Sequence, residues 1–246
     1  MNCQPQWIRQ VYIWLFNNQT CLLCDEFCGT PFALCMTCEL ELPWLGGSCK
    51  RCGLPLPMAG LICAHCIKQP PAFDHVHAPW VYGFPIDSLI IRFKHHGKWP
   101  YGRLLAELLG QSLLDDFNSG SPRPDFLLPV PLSTQRLRQR GYNQAAMLAQ
   151  WLGAALNIPR HEHWLLRTQD TAAQQALDAK GRKRNLLQAF SLAPGVQVCG
   201  LHLALVDDVL TTGATAESLA RLLIKAGARR VDVYCLARTP KPDGPP

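Results

Sequence analysis

Eight of the twelve cysteines fall into four C-x2-C pairs, Cys21/Cys24, Cys35/Cys38, Cys49/Cys52 and Cys63/Cys66, with ten residues between each pair and the next. A two-residue gap lets both thiolates of a pair face one ion, and two pairs complete a tetrahedral sulfur site. Eight ligands therefore fill two sites, and ribbon spacing of this kind suits structural Zn2+ better than an iron–sulfur cluster. A site closed by four thiolates has no open position for water or substrate, so these ions fold the module rather than do chemistry. Sequential pairing, first with second and third with fourth, is expected, although the equal spacing also permits a cross-braced arrangement. Cys3, Cys28, Cys199 and Cys235 stand outside the repeat and read as free or buried thiols. His65, inside the last pair, reads as a bystander.

The second chemical feature is the stretch LALVDDVLTTGATAESLARLLIKAGA. Leu203 to Val206 is a short apolar run of the kind that forms a buried parallel strand, and it ends in paired Asp207 and Asp208. Thr211, Thr212 and Thr215 supply hydroxyls, and Gly213 permits close approach of the backbone to a ligand. The helix predicted over 215–227 presents Leu219, Leu222, Leu223 and Ala226 as one stripe, with Gly227 as its stop. Its positive end, with unpaired N–H groups, is a place for a phosphate. Paired carboxylates beside a phosphate cradle become consistent if they accept from the 2′- and 3′-hydroxyls of a ribose whose 5′-phosphate sits in the loop. The plainer possibility is a general phosphate-binding turn next to two solvated acids.

These groups need elements to hold them. Beyond the cysteines the chain alternates apolar runs with helical patterns, which argues for an α/β parallel sheet flanked by helices. Strands are expected near 80–82, 126–130, 164–166, 201–206 and 231–236, with helices near 85–95, 101–116, 142–157 and 215–227. Pro70, Pro71 and Pro79, with little periodicity around them, mark 68–79 as a linker. The expected organisation is a lead segment over 1–20, a double ribbon over 21–67, the linker, a main domain over 80–240 and a tail over 241–246. In the lead, Trp7, Ile8, Val11, Trp14 and Leu15 recur at helical spacing; packing on the protein is expected, with contact to a membrane surface left open. No signal peptide and no membrane-spanning stretch is read, which predicts a cytoplasmic protein.

The formal charge is +6, but residues 1–75 carry four Lys/Arg against five Asp/Glu, so the basicity belongs to the second part. The ribbons alone are therefore poor candidates for nucleic acid, which needs cations for counterion release. Arg136, Arg138 and Arg140, on a loop after strand 126–130, could hold a pyrophosphate or form a solvated basic loop. A second basic run, Arg182, Lys183 and Arg184, lies in a polar stretch. Arg92, Lys94, His95, His96 and Lys98 end a helix, where cations complement the dipole or meet a ligand. His161 and His163, flanking Glu162, lack a third ligand nearby and read as surface residues.

LALVDDVLTTGAT resembles the phosphoribosyl pyrophosphate signature of type I phosphoribosyltransferases. With the double ribbon, PVPL, RQRGYNQ and RKRNLLQAF, nearly the whole chain resembles the ComF/GntX family, linked to competence and the use of external DNA. The resemblance implies a type I phosphoribosyltransferase fold binding phosphoribosyl pyrophosphate with Mg2+ through Val206, Asp207, Asp208, Thr211, Thr212, Gly213, Ala214, Thr215, Arg136 and Arg138. Asp207, Asp208 and Arg140 are the implied catalytic residues, with 168 onward as the mobile catalytic loop and Arg167, Gln174 and Asn185 at recurring family positions. It leaves the acceptor base undefined. The competing expectation is a protein that binds the metabolite without turnover and engages single-stranded DNA or DNA-uptake machinery.

Overall fold

The computed structural model describes residues 19–168 and 189–241. Residues 1–18 with Cys3, as well as Gln174, Arg182, Lys183, Arg184 and Asn185, lie outside the described residues. The chain divides into two compact units, Met1–Leu42 and Pro43–Pro246. This differs from a division within 68–79, because the second cysteine ribbon is built into the larger unit.

In the first unit the backbone turns tightly at Cys21, with Asp25 N–H donating to the Cys21 carbonyl at 2.9 Å, and Asp25 takes a positive φ of 61°. Helix α1, Met36–Leu40, begins directly after Cys35. In the second unit the same turn recurs at Cys49, where Gly53 N–H donates to the Cys49 carbonyl at 2.9 Å and Gly53 has φ 64°. Helix α2 is Ala64–Lys68.

The second unit then runs β1 (His75–His77), β2 (Trp80–Val81), α3 (Ile86–His96), α4 (Trp99–Asn118), β3 (Phe126–Pro129), α5 (Thr134–Arg140) and α6 (Gln144–Leu156). It continues with β4 (Leu165–Arg167), β5 (Phe190–Leu192), β6 (His202–Leu210), α7 (Ala214–Lys225) and β7 (Arg230–Arg238). The main sheet has the order β1-β7-β6-β3, with β2 also on β7, and every pairing in it is parallel. The expected α/β parallel-sheet architecture is thus what the second unit forms. β4 and β5 make a separate antiparallel pair.

Both faces of the sheet are covered, as a parallel sheet requires. Alternation along the strands sends Leu203, Leu205, Val231, Val233 and Cys235 into one core with Ala216, Leu219, Ala220 and Leu223 of α7. The intervening Ala204, Val206, Tyr234 and Leu236 are buried as well. The stripe on α7 lies three positions, about one turn, before the expected one: Ala226 is the exposed C-cap and Leu222 is only partly buried.

The segment read as a linker contains β1, which pairs with β7 from His75↔Asp232 to His77↔Tyr234. The second ribbon is tied to the same edge. Leu45 N–H donates to the Pro79 carbonyl at 2.7 Å, Val81 N–H donates to the Pro43 carbonyl at 2.9 Å, and Trp44 packs on Trp80 with ring centroids 5.5 Å apart. The Cβ that any other residue would place at Gly53 would fall 2.9 Å from the Val76 side chain, so glycine serves both the turn and the contact there.

The last turn of α3 is fixed from several sides. Phe93 is fully buried, with its ring 5.9 Å from Tyr142 and 6.0 Å from Trp151. A Cβ on Gly102 of α4 would lie 2.5 Å from that ring. Tyr142 Oη also donates to the Phe93 carbonyl. These contacts orient the neighbouring residue, Lys94.

Candidate functional site

The strand that carries the acid pair is longer than its apolar run. β6 continues through Asp207 and Asp208 to Leu210, held in register with β7 by Asp207↔Cys235 and Val209↔Ala237. The pleat therefore sends the two acids to opposite faces. Asp208 meets Lys94, with Oδ1 2.9 Å from Nζ, and both side chains are largely buried. Burial pushes the Asp207 carboxyl up to about 7, reinforced by the neighbouring Asp208 charge. The Asp208 N–H, which donates to Asp207 Oδ1 at 2.8 Å, and the charges of Lys94 and Arg136 act in the opposite sense. Tyr82, at the end of β2, has its phenol pushed up by burial and by the Asp87 and Asp208 charges. The acids thus sit at the carboxyl end of the parallel strands, where open α/β sheets bind ligands.

The raised Asp207 value has a thermodynamic consequence. An aspartate ordinarily titrates near 3.8 and this one at about 7 when folded, so the folded chain holds the proton more tightly. Stability is then lost as pH rises from about 4 to about 7, and an amide, which cannot ionise, escapes that loss. Asp207→Asn is expected to match the parent in thermal melts at pH 4 and to exceed it by about 2 kcal/mol at pH 8. Equal stabilities at pH 8 would contradict this electrostatic description.

Beyond Leu210 the chain bends through Thr211 and Thr212 to Gly213, whose φ of 77° is the left-handed conformation that glycine adopts without strain. Gly213 is the N-cap of α7 and, having no side chain, makes no capping hydrogen bond itself. Thr212 Oγ1 accepts from the Ala214 N–H at 3.3 Å. Thr211 and Thr212 are exposed, and Gly213, Ala214 and Thr215 are half-buried. A helix start whose N-cap lacks a side chain, beside hydroxyls, presents donors of the kind that suit an anion.

Arg238, the last residue of β7 and only 7% exposed, braces this bend. Its Nη1 donates to the carbonyls of Leu210 at 3.0 Å, Thr211 at 2.5 Å and Thr239 at 2.8 Å. Its Nε donates to the Cys52 carbonyl in the second ribbon at 3.0 Å. Neither Arg238 nor Lys94 carries a motif; the only signal for Lys94 was its place in a basic helix end.

The Arg136–Arg140 segment is helix α5 rather than a loop, started by Ser133, whose hydroxyl accepts from the Arg136 N–H at 3.2 Å. Arg136 is exposed and its charge is felt at Asp207. Arg140, four residues on and on the same side of the helix, donates to Gln144 Oε1 at 3.0 Å. Arg138 is exposed and lies on the opposite side of α5. Buried Gln144 keeps an Nε2 with no acceptor among the described residues. His161 is not a simple surface residue: it stacks on Trp164 at 3.9 Å and 6°, with Phe126 beside both rings.

The cysteines assemble as two sets, Cys21/Cys24/Cys35/Cys38 and Cys49/Cys52/Cys63/Cys66, with the sulfurs of each set within 4.8 Å of one another. That is the sequential pairing. Burial pushes the Cys21 thiol up, but N–H groups of Cys35, Cys24 and Leu23 directed at its sulfur bring it down to about 6. Cys49 is brought to about 7 in the same way by Cys52, Cys63 and Arg51. Cys38 and Cys66 are pushed up, first by burial and then by neighbouring thiols, so full ionisation of each set requires a bound cation. The donors fit structural Zn2+ and leave no open position. After dialysis against a mild chelator, metal analysis of the full chain should return two zinc ions, and each of Cys35→Ser/Cys38→Ser and Cys63→Ser/Cys66→Ser should return one. Retention of two ions by either variant would contradict the assignment.

The chain is therefore a double zinc ribbon protein whose second ribbon is built into a parallel α/β unit. Residues 12–67 match the family model described as "Double zinc ribbon domain". The DNA utilization protein YhgH of Escherichia coli K12 is 36% identical over 234 residues, covering 95% of this chain and 96% of that protein. Competence protein F of Haemophilus influenzae is 39% identical over 175 residues, covering 70% and 76%. The chain belongs to this competence protein F and DNA utilization protein family. Among solved structures, similar chains include a purine phosphoribosyltransferase from Pyrococcus horikoshii (TM-score 0.38, 17% identity, covering 58% of this chain and 79% of that one). Another is the glutamine phosphoribosylpyrophosphate amidotransferase of B. subtilis (TM-score 0.38, 21% identity, 55% and 25%). No helix among the described residues is long and apolar enough to cross a membrane.

Proposed function

We propose that the second unit has a type I phosphoribosyltransferase fold and binds phosphoribosyl pyrophosphate, and that the chain serves competence or DNA utilization in the cytoplasm. The observation that carries the reading is the run from Asp207 and Asp208 through the Gly213 bend into the start of α7. The first-turn N–H groups and the threonine hydroxyls take the 5′-phosphate, while the acids accept from the ribose hydroxyls. Lys94 balances Asp208, so the acid pair does not repel the incoming anion. Arg136, whose charge reaches Asp207, faces the departing pyrophosphate, and Arg140 is positioned by Gln144 on the same side of α5. Mg2+, bound together with the ligand, would neutralise the charge of the leaving group. The chain's own contribution is placement and fixed electrostatics at C1 as positive charge develops there.

Turnover is tested by screening purine and pyrimidine bases for base-dependent release of pyrophosphate. Release with one base class supports the enzyme. Calorimetric binding without release under any base supports a sensor of the metabolite. The exposed, outward side of α5 bearing Arg138 favours a second reading, contact with single-stranded DNA or uptake machinery. In that case the affinity for single strands should fall with salt, and Arg138→Gln should flatten the slope by about one.

A further inference from the structure

Far from the β6 turn along the strands, at the start of β1, a second group of potential ligands converges. His75 and His77 are two apart on β1 and so share a face, and Asp116 reaches them from the last turn of α4. One ligand atom from each lies within 4.8 Å of the other two. We propose that these three residues form a third metal site, for a first-row divalent cation such as Zn2+ or Co2+, open to a small cavity. It stands independently of the phosphoribosyl reading.

The arrangement of outer partners argues for an ion. His75 Nδ1 lies 2.8 Å from the Lys50 carbonyl, which leaves Nε2 as its ligand atom. His77 Nε2 lies 3.0 Å from Ser112 Oγ, one helical turn before Asp116, which leaves Nδ1, and that atom is 2.7 Å from Asp116 Oδ2. Each ring thus has one nitrogen fixed by an outer partner and the other left for an inner contact, as in histidines that bind metal. The Asp116 carboxylate, whose Oδ2 meets His77 Nδ1, supplies the anionic ligand of the set. A simple His77–Asp116 ion pair accounts for only one of the two rings.

The three residues line a cavity of about 120 Å3 together with Ser121 and Tyr234. That is room for a few waters at about 30 Å3 each, enough to complete the coordination of a three-ligand site. Arg230, also on the wall, is engaged by Asp232 at 3.0 and 3.1 Å, so its charge is balanced. Two imidazoles and one carboxylate suit Zn2+, Co2+ or Ni2+ better than Mg2+ or Ca2+. The Lys50 carbonyl belongs to the turn between Cys49 and Cys52, which links this site to the second ribbon.

The test is a Co2+ titration of the full chain dialysed against a mild chelator to two zinc ions and carrying Asp207→Asn/Asp208→Asn, so that only the thiolate sets hold zinc and the acid pair is not counted. One further ion should bind with no zinc released and without the intense near-ultraviolet charge transfer of a cobalt–thiolate site. His75→Gln/His77→Gln should weaken that ion by about 100-fold and Ser112→Ala by about tenfold. Single His75→Gln, at the more exposed ring, guards against a folding defect and should weaken it as well. Absence of the further ion in the parent, or equal binding by the parent and His75→Gln, would overturn the proposal.

Discussion

Asp207→Asn/Asp208→Asn is expected to weaken binding of phosphoribosyl pyrophosphate with Mg2+ by about 100-fold, while leaving binding of inorganic phosphate unchanged or tighter. The two halves of that result follow from opposite terms. A hydrogen bond to a charged acceptor contributes about 1.5–3 kcal/mol, and the amides keep only part of two such bonds, so about 3 kcal/mol is lost on the ribose. For a bare phosphate the ribose does not matter. Removing the Asp208 charge frees Lys94, now 2.9 Å from that carboxylate, and makes the site more positive. Calorimetry with the two ligands on the same protein separates a ribose-reading site from a general anion turn. Parallel losses for both ligands, or none for either, would contradict the assignment of the acids.

The second large effect is expected at a residue that no motif announces. Arg238→Gln should lower stability by about 3 kcal/mol, because carbonyls of Leu210, Thr211, Thr239 and Cys52 lose their shared donor. An unsatisfied buried acceptor costs about 1–3 kcal/mol, and bends with partial access to water fall at the lower end. The same change should weaken phosphoribosyl pyrophosphate about tenfold at a temperature where the variant is folded, since Leu210 and Thr211 open the phosphate bend. Cys63→Ser/Cys66→Ser, which empties the second zinc set, should move affinity in the same direction through the Cys52 carbonyl. On this reading zinc bears on the site as a brace for its backbone. Unchanged affinity in Arg238→Gln, with the expected loss of stability, would confine the guanidinium to a structural role.

What could be read from the sequence is what depends on neighbours along the chain. The cysteine pairs are local turns, and their grouping was legible because each knuckle needs only its own few residues and the equal spacing favours adjacent partners. The start of α7 was legible for the same reason: an apolar strand, a glycine in the left-handed region and a helical stripe lie within a short stretch. The rest depends on contacts across the fold. β1 has only three residues, His-Val-His, and exists because β7 offers it an edge, so proline content made its surroundings look like a linker. The second ribbon joins the larger unit through Trp44, Leu45 and the Cys52 carbonyl, partners far away in sequence. β6 extends through its acids because β7 continues beside them, against the low strand preference of aspartate. Lys94 and Arg238 took their roles from packing that places them, which residue type alone does not encode. The Arg136–Arg140 stretch reads as a polar loop, yet Ser133 caps it and Gly141 ends it as a helix.

A crystal structure of the full chain with Mg2+ and phosphoribosyl pyrophosphate tests the central claim most directly. The 5′-phosphate is expected against the N–H groups at the start of α7, with the ribose hydroxyls within hydrogen-bond distance of Asp207 and Asp208 and the pyrophosphate toward Arg136. A ligand seated elsewhere, or turned so that its phosphate leaves the Gly213 bend, would contradict it.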